Sequence, residues 1–153
     1  MENLKKLIAD HPFLKGMHPE YIDLMAGCAR NLKFEEGQFV FREGGEADNF
    51  YFIRSGKVAL EIYSPQKGLD IIETLGDGDV LGWSWLIPPY KWKFDARVVE
   101  QARVIAFDGK CLRNKCESDH DLGYALLMKF SQIIEERLQA TRLRLLDLYG
   151  HIL

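Results

Sequence analysis

Three rhythms of apolar and polar residues divide the chain. Over residues 1–32 the apolar positions recur at helical spacing: Leu4, Leu7 and Ile8 share one face. Tyr21, Leu24, Met25 and Cys28 share another, behind a Pro19 placed at a first helical turn. Over 33–108 the rhythm shortens. Turn signals ("EEG" at 35–37, "EGGEAD" at 43–48, "SG" at 55–56, "PQKG" at 65–68, "GDGD" at 76–79) separate the runs "QFVF", "NFYFIR", "KVALEIY" and "LDIIETL"; "DARVVE" and "ARVIAFD" follow further on. Val58, Leu60 and Ile62 point one way and Lys57, Ala59, Glu61 and Tyr63 the other, the two-residue period of a strand. Short strands between closely spaced turns predict a β-sandwich or barrel. Over 109–149 the helical period returns. "DGKCLRNKCESD" reads as a short helix ending near Ser118, and Ser118 or Asp119 then caps a long helix running to about Tyr149. Residues 1–153 thus read as one domain, mainly β with flanking helices.

The long helix carries two apolar stripes. Leu127, Ser131, Ile134, Leu138, Thr141, Leu145 and Leu148 advance by alternating steps of four and three, the heptad period of a coiled coil. Leu122, Leu126, Phe130 and Ile133 form a second stripe over the first half only. The expected arrangement has the first half packed on the barrel and the heptad stripe meeting a second copy, so the chain forms a homodimer. A helix lying by a single face on its own domain is the alternative.

Bulk chemistry narrows the function. The net charge is −3 with both signs mixed, and residues 120–153 balance four acids against four bases, so no concentrated basic face for direct DNA binding is expected. The N-terminus lacks a continuous apolar signal segment, and no apolar run is long enough for a membrane span. Cys28, Cys111 and Cys116 are odd in number and form no CxxC, so reduced thiols in a cytoplasmic protein are expected, with buried packing for Cys111 and Cys116. His11, His18, His120 and His151 are scattered with no metal-ligand spacing and none lies in the barrel, so they read as caps or surface groups and no metal is expected. No GxSxG, P-loop or HExxH occurs, and the chain is expected not to be an enzyme.

One stretch stands apart. "GWSWLIPPYKWKFDA", residues 82–96, holds all three tryptophans around a Pro88–Pro89 pair. The segments that flank it, "EGGEADNFYFIRSGKVAL" and "LGDGDVLG", carry a spaced set: Gly44, Asp48, Tyr51, Ile53, Gly56 and Val58, then Leu75, Gly76, Gly78 and Gly82. On these residues the chain resembles the cyclic-nucleotide-binding domain family over nearly its whole length. The resemblance implies a β-roll (a double-stranded β-helix, or cupin-like jelly roll) between N-terminal helices at 1–32 and C-terminal helices at 109–149, the last one dimerising. Gly45, Gly56, Gly76 and Gly78 have a plainer reason beside it, since tight turns favour positive φ there.

In the family, as the resemblance implies, a short helix after the last glycine aims backbone N–H groups at a cyclic phosphate. A glutamate takes the ribose hydroxyl, an arginine pairs with the phosphate, and a hydroxyl residue assists just before an alanine. Gly82 and Ala96 keep the ends of this cassette, but Trp83 stands for the glutamate, Phe94 for the arginine and Asp95 for the hydroxyl residue. Losing the charge-assisted pair alone costs about 2–5 kcal/mol. Asp95, turned inward, would repel an anion; Lys91, Lys93 and Arg97 are the cations near enough to substitute.

Three readings of the cassette follow. Its aromatics plug the pocket; or they line one for another ligand, with Ser84, Lys93, Asp95 and Arg97 as polar contacts; or part of them is a protein-partner surface. The candidate site is Gly82, Trp83, Ser84, Trp85, Lys93, Phe94, Asp95, Ala96 and Arg97; the candidate dimer interface is Leu127, Ile134, Leu138, Thr141, Leu145 and Leu148. The expected function is a non-enzymatic sensor or regulatory module with no resident cofactor, answering to an effector of unknown identity. A conventional cyclic AMP receptor and a ligand-free interaction scaffold are the alternatives.

Overall fold

The computed structural model describes the backbone of residues 2–150 and the side chains of 4–149, so His151 lies outside the described residues. The chain opens with α1 (Glu2–Ala9), a single 3₁₀ turn (Pro12–Leu14) and α2 (Pro19–Ala26). His11 and His18 cap the last two: each ring Nδ1 accepts a backbone N–H, from Phe13 and Glu20 respectively, at 3.2 Å.

Six strands follow: β1 (Ala29–Phe34), β2 (Phe39–Phe41), β3 (Asn49–Ser64), β4 (Gly68–Leu75), β5 (Val80–Leu81) and β6 (Asp95–Asp108). All pairings are antiparallel. β3 and β6 are long enough to serve two half-sheets. The second half of β3 and the first half of β6 pair with each other, flanked by β4 and β2; their remaining halves pair with each other, flanked by β5 and β1. This is the expected mainly β roll with flanking helices. The strands begin at Ala29 rather than near Lys33, because Ala29–Phe34 pairs along the last part of β6.

The expected turn at Ser55–Gly56 is instead a bend inside β3. Gly56 sits at φ 106°, and a Cβ there would lie 2.3 Å from the Gln101 carbonyl oxygen. The β6 backbone passes so close that only glycine fits, and the β3–β6 register shifts on both sides of the bend. Of the four glycines expected at positive φ, Gly56 and Gly78 have it, whereas Gly45 and Gly76 do not; in the 43–47 turn it is Gly44 that does.

Asp108 caps α3 (Gly109–Ser118), its carboxylate accepting from Cys111 N–H at 2.9 Å, and Asp119 caps α4 (His120–Gly150) through Leu122 N–H at 3.1 Å. The second stripe of α4 is buried: Leu122, Leu126 and Phe130 are closed to solvent. Phe130 meets Phe13, Phe50 and Trp85 edge-on, and Phe50 stacks on Phe107, so one aromatic cluster joins the roll to both helical ends.

The thiols depart from expectation. Cys28 and Cys111 form a disulfide, and only Cys116 is free. Ala29 pairs with Phe107 across the β1–β6 ladder, and Asp108 N–H donates to the Cys28 carbonyl at 2.8 Å. The ladder thus places Cys28 beside the first turn of α3. A register between strands so far apart in the chain leaves no trace in cysteine spacing.

Candidate functional site

The cassette leaves β5 at Gly82 and re-enters the sheet at Asp95. Residues 84–86 form a turn, not the short helix the resemblance implies, so no helix N-terminus is aimed across Gly82 among the described residues. The far limb is tied to the 43–47 turn by backbone hydrogen bonds: Ala47 N–H to the Tyr90 carbonyl (2.8 Å), Trp92 N–H to Gly45 (3.0 Å) and Gly44 N–H to Trp92 (2.9 Å). A Lys91–Glu46 ion pair joins the same two segments.

The aromatics turn inward. Trp92 is buried and stacks on Phe41 with ring centroids 3.7 Å apart; Phe94 leans on the same Phe41 ring. The Trp92 ring covers Gly82 so tightly that a Cβ on Gly82 would lie 2.6 Å from it. Trp85 is fully buried, stacked on Phe50 at 4.9 Å. The exposed remainder of the segment is Ile87, Pro88, Pro89 and Lys93, so a partner surface here would lack its two best anchors.

The candidate polar contacts divide. Asp95 does not face an anion site: it accepts from Glu43 N–H at 2.7 Å and lies 3.5 Å from the Arg42 guanidinium. It alternates with Ala96, which is fully buried, so the two point to opposite faces of β6. Arg97 is committed to the buried Glu61, with contacts of 2.8–3.1 Å that raise its pKa further. Lys93 is exposed and Ser84 half-buried. The structure therefore seats Trp92 against Gly82 and sets Phe94 on the Phe41 ring that Trp92 stacks on, with Ala96 pairing Phe41 across the β2–β6 ladder, while Asp95, Arg97 and Lys93 look elsewhere.

Two arginines outside the candidate set hold the cassette. Arg113 of α3 donates to the Trp85 carbonyl at 2.5 Å and lies 4.2 Å over the Tyr90 ring. Arg137 of α4 lies 4.9 Å over Trp83, donates to the Val80 carbonyl, and sits 3.6 Å from Glu73. Burial lowers the Arg137 pKa, against the pull of Glu73, Asp79 and Glu136. A signal for Arg137 was available: it continues the stripe Leu126, Phe130, Ile133, and a charge in line with buried positions seeks a buried partner. Beside it lies a cleft of about 320 Å³ between the β4–β5 turn and α4, lined by Phe13, Glu73, Asp79, Lys129, Glu136 and Arg137 among others.

The predicted dimer residues all lie on one helix. Leu127, Leu138, Thr141, Leu145 and Leu148 are exposed and Ile134 is half-buried. An apolar groove of about 680 Å³ runs between β4 and the end of α4, lined by Ile62, Ile71, Ile72, Leu145 and Leu148.

Among the described residues no group of three His, Cys, Asp or Glu side chains is placed to hold a metal, and no helix is long and apolar enough to cross a membrane. Roll, cassette and flanking helices together define a β-roll class of domain. The family model for the cyclic nucleotide-binding domain matches residues 31–119, and the chain belongs to that family. It is 24% identical over 145 residues to a CRP-like cAMP-activated global transcriptional regulator of Mycobacterium tuberculosis, spanning 95% of this chain and 63% of that protein. Among solved structures it is similar to a candidate cyclic nucleotide-binding protein of Geobacter metallireducens (27% identity, TM-score 0.76, 90% of this chain and 96% of that one). A cyclic nucleotide-binding domain of Methylobacillus flagellatus shares the fold at 16% identity (TM-score 0.80, 95% and 82% covered).

Proposed function

We propose that the chain is a non-enzymatic regulatory module whose cassette is closed by its own side chains and does not take cyclic AMP or GMP in the family's usual geometry. One observation carries this reading: the Trp92 ring covers Gly82, and Phe94 of the same aromatic stack stands where the phosphate-pairing arginine belongs. Burial of Trp85 and Trp92, with Trp92 and Phe94 both set on the Phe41 ring, stabilises the closed form by several kcal/mol, at about 1.5–3 kcal/mol for each large apolar side chain. The nearby cations are spoken for or exposed: Lys91 by Glu46, Arg97 by Glu61, while Lys93 faces solvent. Arg113 and Arg137 fasten α3 and α4 to the closed loop, so the helices are held with the pocket filled from within.

The module works as a homodimer through α4 in the cytoplasm, without binding DNA through its own balanced C-terminal helix. The exposed heptad stripe and the apolar groove beside β4 support the dimer.

A small polar effector at the α4 cleft is a second reading, favoured by the mixed charges lining that space next to Trp83. The test uses the tryptophans, all of which lie in the cassette. Titration with cyclic AMP and cyclic GMP is expected to leave emission and melting temperature unchanged. Saturable micromolar binding would overturn the closed cassette. The dimer reading fails if the chain has a monomeric mass at micromolar concentration.

A further inference from the structure

We infer that Cys28 and Cys111 form a reversible thiol–disulfide site that sets how firmly α3 holds the cassette. This goes beyond the closed-cassette reading and does not depend on what the cassette binds. The bond links positions 83 residues apart, the start of β1 and the first turn of α3. The two residues are also brought together by contacts that involve no sulfur. Ala29 pairs with Phe107, Asp108 N–H donates to the Cys28 carbonyl, and the Asp108 carboxylate accepts from Cys111 N–H. After reduction the thiols stay neighbours, ready to close again.

Access is one-sided. Cys28 is 7% exposed, whereas Cys111 is half-buried at the rim. A small dithiol or a dithiol protein therefore attacks Sγ of Cys111. A mixed disulfide forms and the Cys28 thiolate leaves. The second thiolate of the reductant then displaces Cys111. Two electrons and two protons pass to the pair, and the reductant departs as its own disulfide. Cys116, the third thiol, is free and half-buried, and burial and Asp119 raise its pKa, which disfavours its thiolate.

α3 is the element through which the change is felt. Arg113, two residues after Cys111, grips the Trp85 carbonyl and the Tyr90 ring. Lys115 donates to the Leu24 carbonyl at 2.7 Å, and Cys116 lies against Gly123 of α4. With the disulfide closed, the first turn of α3 is anchored covalently to the residue before β1; with it open, that end keeps the Asp108 cap, the Asp108–Cys28 and Gly109–Asp48 backbone hydrogen bonds and the buried Leu112, all of them non-covalent. In a reducing compartment disulfides are characteristically transient, which fits a switch rather than a strut.

The test poises the full chain in buffers of reduced and oxidised dithiothreitol, traps thiols by alkylation, and reads mass, melting and backbone hydrogen exchange. The pair is expected to open as one two-electron unit with cooperative melting retained and a melting temperature lower by about 5–15 °C. Exchange in α3 and in residues 83–90 is expected to quicken by about tenfold or more and to return on reoxidation. The C28S/C111S variant is expected to stay in the fast-exchanging state with or without dithiol. The proposal is overturned if the bond resists dithiol until the chain unfolds, if the reduced chain or the double variant is itself unfolded, or if opening leaves α3 exchange unchanged. Full alkylation of both thiols under oxidising conditions overturns it too.

Discussion

Both halves of α4 carry leucines, three in residues 120–135 and five in 136–150, and they live in opposite surroundings. Leu122, Leu126 and Phe130 are closed to solvent, whereas Leu143, Leu146 and Leu148 are each more than half exposed. Leucine content alone would not bury the first half and expose the second; what each half faces does. The first lies over the aromatic floor made by Phe13, Phe50 and Trp85. The second runs beside β4 with the apolar groove between them, and there Arg144 donates to the Ile72 carbonyl. Of the heptad stripe, Leu138, Leu145 and Leu148 in this half stay exposed, and the proposed dimer is the reading that would cover them.

Four measurements can break this contrast. The largest effect is expected for Phe130→Ala, which removes the ring at the centre of the docked half. It should lower unfolding free energy by about 3–5 kcal/mol in denaturant titrations. Next comes acid. His11 lies stacked on Phe52 beneath the same half, and burial depresses its pKa to about 4 from an unfolded value near 6.5. Between these values the unfolded chain binds the extra proton, so the stability contributed is complete above pH 6.5 and lost as pH falls toward 4. The loss amounts to about 2–3 kcal/mol, and His11→Phe should flatten it.

Arg137 stands where the halves meet. Arg137→Ala should cost about 1–3 kcal/mol and speed hydrogen exchange in the second half of α4 more than in the first. The smallest effect on the fold is expected from Leu138→Asp with Leu145→Asp, within about 0.5 kcal/mol per site for the monomer. That pair should nonetheless abolish self-association by sedimentation. A double variant that unfolds as readily as Phe130→Ala would show that the outer half is core after all.

Local pattern carried much of the fold. Alternation in Val58–Tyr63 marked the strand but not its burial, since Val58, Ala59, Leu60 and Glu61 are all buried and Ile62 is exposed; of the second stripe of α4, Leu122, Leu126 and Phe130 are buried and Ile133 half-buried. The glycines read well as turns except where two strands touch: Gly56 answers to the β6 backbone, which no local signal reveals. The cassette was legible as a departure from its relatives, because Trp83 and Phe94 are visible substitutions. Its consequences were not. That Asp95 turns to Glu43, that Arg97 is consumed by Glu61, and that Arg113 and Arg137 reach in from helices all depend on pairings across the fold. The disulfide belongs to the same class, set by a strand register rather than by spacing.

The sharing of β3 and β6 between both half-sheets bears on how the protein is made. Asn49 must find Asp108 and β1 must find the end of β6 before one half-sheet is complete, and Glu61 must find Asp95 before the other is. Pairings so distant along the chain close slowly, on a scale of milliseconds to seconds, whereas a helix such as α4 forms in about a microsecond. During that interval the leucine-rich helix exists before its platform does. A second copy that covers its outer face would then act as a folding companion, shielding on the newly made chain the surface most prone to stick elsewhere.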